Sequence, residues 1–204
     1  MIVRLIHGIH SKEGDNNMST FAPLVEKAMP GARVSLFEYG FMGFWAARWK
    51  NNDVAANLAE IHRFGQARGV PEVWATHSNG AAIAYLAVTK FGAAPDMIIN
   101  FNPALDRWRT ADVPRVETIH SNSDRWVNLS QWLPGHIWGD QGKVGYTGKN
   151  GNTINHNASL IGGRMAYNDH TGAFAASRRE AWAYFVANRV DEFLGNGLQP
   201  GLKL

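Results

Sequence analysis

The sequence predicts an α/β fold, a three-layer α/β/α sandwich built on a mostly parallel central sheet. Short apolar runs alternate with segments of helical period. Strands joined through helices of this length form βαβ units, with helices covering both faces of a parallel sheet. The chain has 204 residues, 45% of them apolar, enough for one hydrophobic core. Residues 1–194 are therefore expected to form a single domain, with 195–204 as an irregular tail.

The elements follow in order. "IVRLI" (2–6) reads as the first strand, and the polar loop "HSKEGDNNM" (10–18) follows it. Ser19 or Thr20 is placed to cap a helix through Phe21, Leu24, Val25 and Ala28, stopped by Pro30 and Gly31. "ARVSLFEY" (32–39) is the second strand. Val54, Leu58, Ile61 and Phe64 share a helical period, with Asp53 as the cap. Gly40 and Gly43 argue against a regular element in the aromatic stretch "YGFMGFWAARW" (39–49). "PEVWAT" (71–76) is the third strand, 79–91 an Ala-rich helix, "DMIINF" (96–101) the fourth strand and "RVETIH" (115–120) the fifth. The stretch 131–167 is rich in Gly, Asn and Trp without a period. It reads as a loop or cap excursion over the surface, with "ASLIGGRM" (158–165) its one candidate strand. A last helix over 172–194 buries Phe174, Trp182, Phe185, Val186, Val190 and Phe193.

Composition excludes several classes. The formal charge is +3, and the basic residues fall in scattered pairs such as Arg48 and Lys50 or Arg107 and Arg109. With no basic run, nucleic acid is not an expected partner. The chain has no cysteine, which removes disulfides, thiolate metal sites and a cysteine nucleophile. The aspartates show no metal-ligand spacing, and the Gly-rich "GDQGKVGYTGKNGN" (139–152) does not match a phosphate loop, so no cofactor or metal is expected. "MIVRLIHG" lacks the charge and long apolar run of an export signal, and no segment has the length of a membrane span. A cytoplasmic location without a membrane span is expected. The oligomeric state stays open.

The chemistry concentrates in "WATHSNGAAIA" (74–84), where the third strand runs into Ser78. Sites in doubly wound sheets form at the carboxyl ends of strands. A nucleophile there must turn sharply so that its Oγ projects, while the following helix crosses back close to the strand. That crowding demands small residues two before and two after the serine, the physical content of G-x-S-x-G. Gly80 meets the demand, whereas Thr76 is larger. The plain alternative is a serine that only caps the next helix.

On Thr76-His77-Ser78-Asn79-Gly80 the chain resembles the α/β-hydrolase superfamily, keeping the H-S-x-G of its frequent G-H-S-x-G elbow. The resemblance covers residues 1–194, is strongest over the first 130, and implies a minimal α/β-hydrolase fold of the small serine esterase or lipase-like kind. It implies that His7-Gly8 leads to an oxyanion hole made by the backbone amides of Ile9 and Asn79. It makes Asp124 in "SNSDRW" the triad acid, with Asp106 the rival, and His170 in "YNDHTGAF" the base, with His156 in reserve. His136 is read as part of a surface flap. His10, Phe41, Trp45 and Trp126 are expected to bind substrate, and His77 is expected only to pack or bond locally, with no part in the chemistry. The implied activity is cleavage of an ester or related acyl bond through an acyl-enzyme, carboxylesterase-like or lipase-like, on a small-molecule or polymer-linked acyl group. Thioester and acylated-glycan substrates stay open. Two other readings compete. Thr76 and the lack of a clear last strand suit a hydrolase-fold binding module that has lost catalysis. A flavodoxin-like anion binder needs more glycines than "HGIHSKEGDNN" (7–17) holds.

Overall fold

The computed structural model describes residues 1–9, 16–66, 69–126 and 139–195. Six strands form one sheet in the order β2-β1-β3-β4-β5-β6, every adjacent pair parallel. They are β1 (Ile2–Ile6), β2 (Arg33–Phe37), β3 (Glu72–His77), β4 (Met97–Phe101), β5 (Arg115–His120) and β6 (Thr153–Asn157). β3 and β4 are buried along their whole length, as strands covered on both faces must be.

The cover is α1 (Asn17–Ala28), α2 (Phe44–Gln66), α3 (Asn79–Thr89) and α5 (Arg179–Phe193), with α4 (Gln141–Val144) a single turn. α1 and α5 bring Phe21, Val25, Trp182 and Val186 onto Leu5, Ile99 and Phe101. α2 and α3 bring Leu58, Ala59, Ile83 and Ala87 onto the other face, against Ile6, Trp74 and Ile98. Each fully buried Leu, Ile or Phe contributes about 1.5–3 kcal/mol. The three-layer sandwich is thus the observed architecture, with a sheet that is parallel throughout.

Several boundaries differ from the sequence reading. Asn16 caps α1, in place of Ser19 or Thr20: its Oδ1 accepts from the backbone amides of Met18 (2.9 Å) and Ser19 (3.0 Å). Ser19 Oγ accepts from the Asn16 amide at 3.0 Å, so Ser19 is the second member of the capping box. α2 begins at Phe44, well ahead of the expected Asp53 cap. Gly43 ends up just before the helix, where its carbonyl accepts from Ala47 N–H, and interrupts nothing. The last helix starts at Arg179, because Gly172–Phe174 forms a separate 3-10 turn that drops Phe174 into the core.

The stretch 131–167 is not an excursion throughout. Within it, β6 extends the sheet along β5, from Val116 against Thr153 to His120 against Asn157. "TINHN" shows no apolar period because it is an edge strand with no fully buried residue. "ASLIGGRM" folds instead into turns that include a 3-10 turn at Gly163–Met165. Residues 131–138 and 196–204 lie outside the described residues.

Two buried carboxylates tie elements together. Glu117 accepts from Arg115 Nε (2.6 Å) and Arg189 Nε (3.3 Å) and pairs with His156, joining β5, β6 and α5. Glu72 accepts from Arg4 Nε (2.6 Å), Trp74 Nε1 (2.7 Å) and His62 Nδ1 (3.0 Å). Burial pushes both carboxyls up, but these donors outweigh it and hold each below its usual value.

Candidate active site

Ser78 sits between the end of β3 and the start of α3 at φ 54, ψ −121, a conformation few non-glycine residues adopt. The strain is held by backbone bonds on both sides. Ser78 N–H donates to Phe101 O at the end of β4 (3.0 Å), and Ala104 N–H donates to Ser78 O (3.1 Å). The Ser78 side chain makes no capping bond to α3, which removes the helix-cap reading. A Cβ on Gly80 would lie 2.5 Å from Ile6 O and 2.7 Å from His7 O, so the helix crosses too close to β1 for any side chain there. A Cβ on Gly8 would come within 3.0 Å of Ser78 Cβ, which places the loop after β1 directly against the serine. Thr76 finds room because its hydroxyl turns to Asn100 across the sheet, donating to Oδ1 at 2.7 Å.

Asp124, fully buried after β5, accepts from His170 Nδ1–H at 2.7 Å. The same Asp124 Oδ2 accepts from Asn102 Nδ2 at 3.0 Å, and Tyr167 OH donates to Asn102 Oδ1 at 2.7 Å. Asn102 holds this place at φ 45, a left-handed turn that Asn tolerates. The rival acid Asp106 is paired with Arg109 at 2.8 Å, and the reserve base His156 is paired with Glu117 on β6. The structure therefore joins Asp124 to His170 and not the alternatives. His136 lies outside the described residues. Ser78 Oγ makes no hydrogen bond to a described residue, and in sites without substrate the nucleophile–base contact is commonly long.

His77 is a residue the sequence reading undervalued. Its bonding is not local: Nε2–H donates to His170 O at 3.0 Å, across 93 positions of sequence. Its ring stands 4.9 Å from the rings of both His170 and Phe174. Burial pushes its pKa down to about 3, with the His170 charge adding to the effect, so His77 is a neutral strut. His7 is likewise lowered, chiefly by burial. Its Nδ1–H donates to Gly8 O (2.6 Å), its Nε2 accepts from Tyr39 N–H (3.3 Å), and the two rings stack at 4.0 Å. Tyr39 OH donates to His7 O at 2.9 Å, which fixes the backbone that leads into Ile9. Asn79, the first residue of α3, is held by a reciprocal amide pair with Asn51, both bonds 2.9 Å.

No family model and no curated protein matches the chain. Solved structures do. A cutinase-like protein from Cryptococcus sp. is 13% identical, with 95% of this chain and 94% of that one covered, at a TM-score of 0.52. Aspergillus fumigatus lipase B is 15% identical over 95% of this chain and 52% of that one, at a TM-score of 0.62. An α/β serine hydrolase without a lid from Xanthomonas campestris is 16% identical over 99% and 84%, at a TM-score of 0.54. The fold is that of the α/β-hydrolase superfamily.

Within this α/β-hydrolase fold, the predicted site residues distribute unevenly. Ser78, Asp124 and His170 sit at the carboxyl ends of β3 and β5 and in the loop before α5. Ile9 follows Gly8 beside the serine, and Asn79 opens α3. Of the expected substrate residues, His10 lies outside the described residues, while Phe41, Trp45 and Trp126 face solvent at 62%, 50% and 69% exposure. A groove of about 310 Å³ runs between α2 and α3, and its lining includes Ala47, Arg48, Asn51, Ala104 and Arg109. It reaches the elbow through Asn51, which holds Asn79, and through Ala104, whose amide binds Ser78 O.

Proposed function

We propose that the protein is a serine hydrolase that cleaves an ester or related acyl bond. The observation that carries this reading is a serine strained at φ 54 with a side chain that does not serve its helix, set at the same sheet end as a His170–Asp124 bond of 2.7 Å. Ser78 Oγ attacks the acyl carbon while His170 Nε2 takes its proton. Asp124 keeps the Nδ1–H tautomer and stabilises the imidazolium. The carbonyl oxygen becomes an oxyanion received by the backbone amides of Ile9 and Asn79. Collapse of the intermediate expels the alcohol, which leaves with the proton from His170. Water, activated by His170 in turn, attacks the acyl-enzyme, releases the acid and restores Ser78.

The proposed substrate is a carboxylic ester, in keeping with names such as lipase and cutinase-like among the structural neighbours. The two features that suit an inactive binding module have ordinary explanations. Thr76 satisfies its hydroxyl on Asn100, and the sixth strand is present as a polar edge strand. Turnover of a p-nitrophenyl ester tests the reading. Ser78→Ala and His170→Ala are expected to lower kcat by at least about 10³-fold, and Asp124→Asn by about 10³–10⁴-fold, with the fold retained. Wild-type kcat in folded Ser78→Ala protein would contradict it.

A further inference from the structure

We propose that the end of the sheet carrying Ser78 docks on an anionic lipid bilayer. The tryptophans point to it. Among the described residues, Trp74 and Trp182 are fully buried, whereas Trp45, Trp49, Trp108 and Trp126 are 50%, 66%, 63% and 69% exposed. All four exposed tryptophans stand on segments that leave the carboxyl ends of strands. Trp45 and Trp49 lie on the first turns of α2 after β2, Trp108 lies after β4 and Trp126 after β5. Phe41, just before α2, is 62% exposed. Large indoles are normally buried, and their amphipathic rings favour the membrane–water boundary.

Charge selects the partner. Arg107 is paired with Asp140 and Arg109 with Asp106, so those two arginines add no net charge. The start of α2 is different. The first two turns of α2 carry two exposed basic residues, Arg48 and Lys50, and the nearest acid on the helix is Asp53, one turn beyond Trp49, so these turns carry a net positive charge. Trp45 and Trp49 are one helical turn apart and share a face, and Arg48 and Lys50 are exposed beside them. The opposite face of the same turns is buried through Ala47 and Asn51, so α2 presents an aromatic and cationic surface outward. Aromatic rings with flanking Lys and Arg match a headgroup layer of negative charge. Stacking on neutral sugar would leave the cations without a role. No helix among the described residues is long and apolar enough to cross a membrane, so the contact is at the surface.

The test is flotation of the full chain with phosphatidylcholine vesicles containing phosphatidylglycerol, and with vesicles of phosphatidylcholine alone. Wild-type protein is expected to float with the anionic vesicles, less at high salt, and weakly with the neutral ones. Each basic residue near an anionic surface is worth about fivefold in partitioning, so Arg48→Gln/Lys50→Gln is expected to lose about 25-fold. Trp45→Ser/Trp49→Ser is expected to abolish flotation. Phe64→Ser, which removes a 70% exposed ring at the far end of α2, is expected to leave it unchanged. Circular dichroism checks that each variant is folded. No flotation with anionic vesicles overturns the proposal, as does folded Trp45→Ser/Trp49→Ser protein that floats like wild type. Self-association through these tryptophans without flotation, or binding to an acidic polysaccharide alone, overturns it too. Ser78→Ala protein must float equally, so this outcome is independent of the hydrolase reading.

Discussion

His77 shows how one buried side chain can set the geometry of another. Its Nε2–H holds the His170 carbonyl, and its ring fills the space between the Gly8 backbone and Phe174. Removing the donor frees the His170 loop, and displacement by about 1 Å at a reacting centre can cost about 100-fold. His77→Phe is therefore expected to lower kcat by about 10–100-fold with KM little changed, and His77→Gln, which can still donate, to recover part of the loss. Steady-state kinetics of the two variants checks this, and equal kcat in all three proteins would deny His77 a positioning role. The candidate residues Ser78, Asp124 and His170 stand out in the sequence because each lies in a local pattern: an elbow, a polar turn after a strand, a loop before the last helix. His77, Asn102 and Tyr167 do not. Their roles lie in hydrogen bonds to residues far along the chain, and no spacing rule announces such bonds.

At the scale of elements, β1, β3, β4 and β5 were readable because apolar runs mark strands buried between two helix layers. β6 escaped because an edge strand has little apolar surface to bury, and its attachment is partly electrostatic. Glu117 on β5 receives Arg115, Arg189 and His156, the last from β6 itself. Breaking a buried ion pair by removing one partner typically costs about 3–5 kcal/mol. Glu117→Gln is thus expected to lose about 3 kcal/mol in urea unfolding, a value near the low end because Arg115 and Arg189 keep some contact with water and both still pair with Glu192. A change below about 0.5 kcal/mol, the usual range of surface substitutions, would show that β6 is held without this clamp. The start of α2 was misplaced for a related reason. Gly40 and Gly43 looked like breakers, but the helix begins immediately after the second of them.

For the whole molecule, buried histidines set the response to acid. His77, His7 and His120 all have folded-state pKa values below their usual 6.5, chiefly through burial. Below pH 6.5 the unfolded chain takes up protons at these sites and the folded chain does not, so stability falls as pH falls. Glu72 and Glu117, held below their usual 4.5, add a loss of the same sign only at lower pH. Urea midpoints are expected to drop already between pH 6.5 and 4.5, before the carboxyls titrate, and less steeply in His77→Phe. A flat profile across that window would contradict the burial of neutral histidines. The parallel sheet and its two cores gather residues from distant parts of the chain at the carboxyl end of the sheet, where Ser78 is the proposed nucleophile. Labelling with a fluorophosphonate, followed by mass spectrometry of the modified peptide, tests that role most directly. One adduct on Ser78 is expected, absent in Ser78→Ala and slowed in His170→Ala. Folded wild-type protein that stays unlabelled, or carries its adduct on another residue, would contradict it.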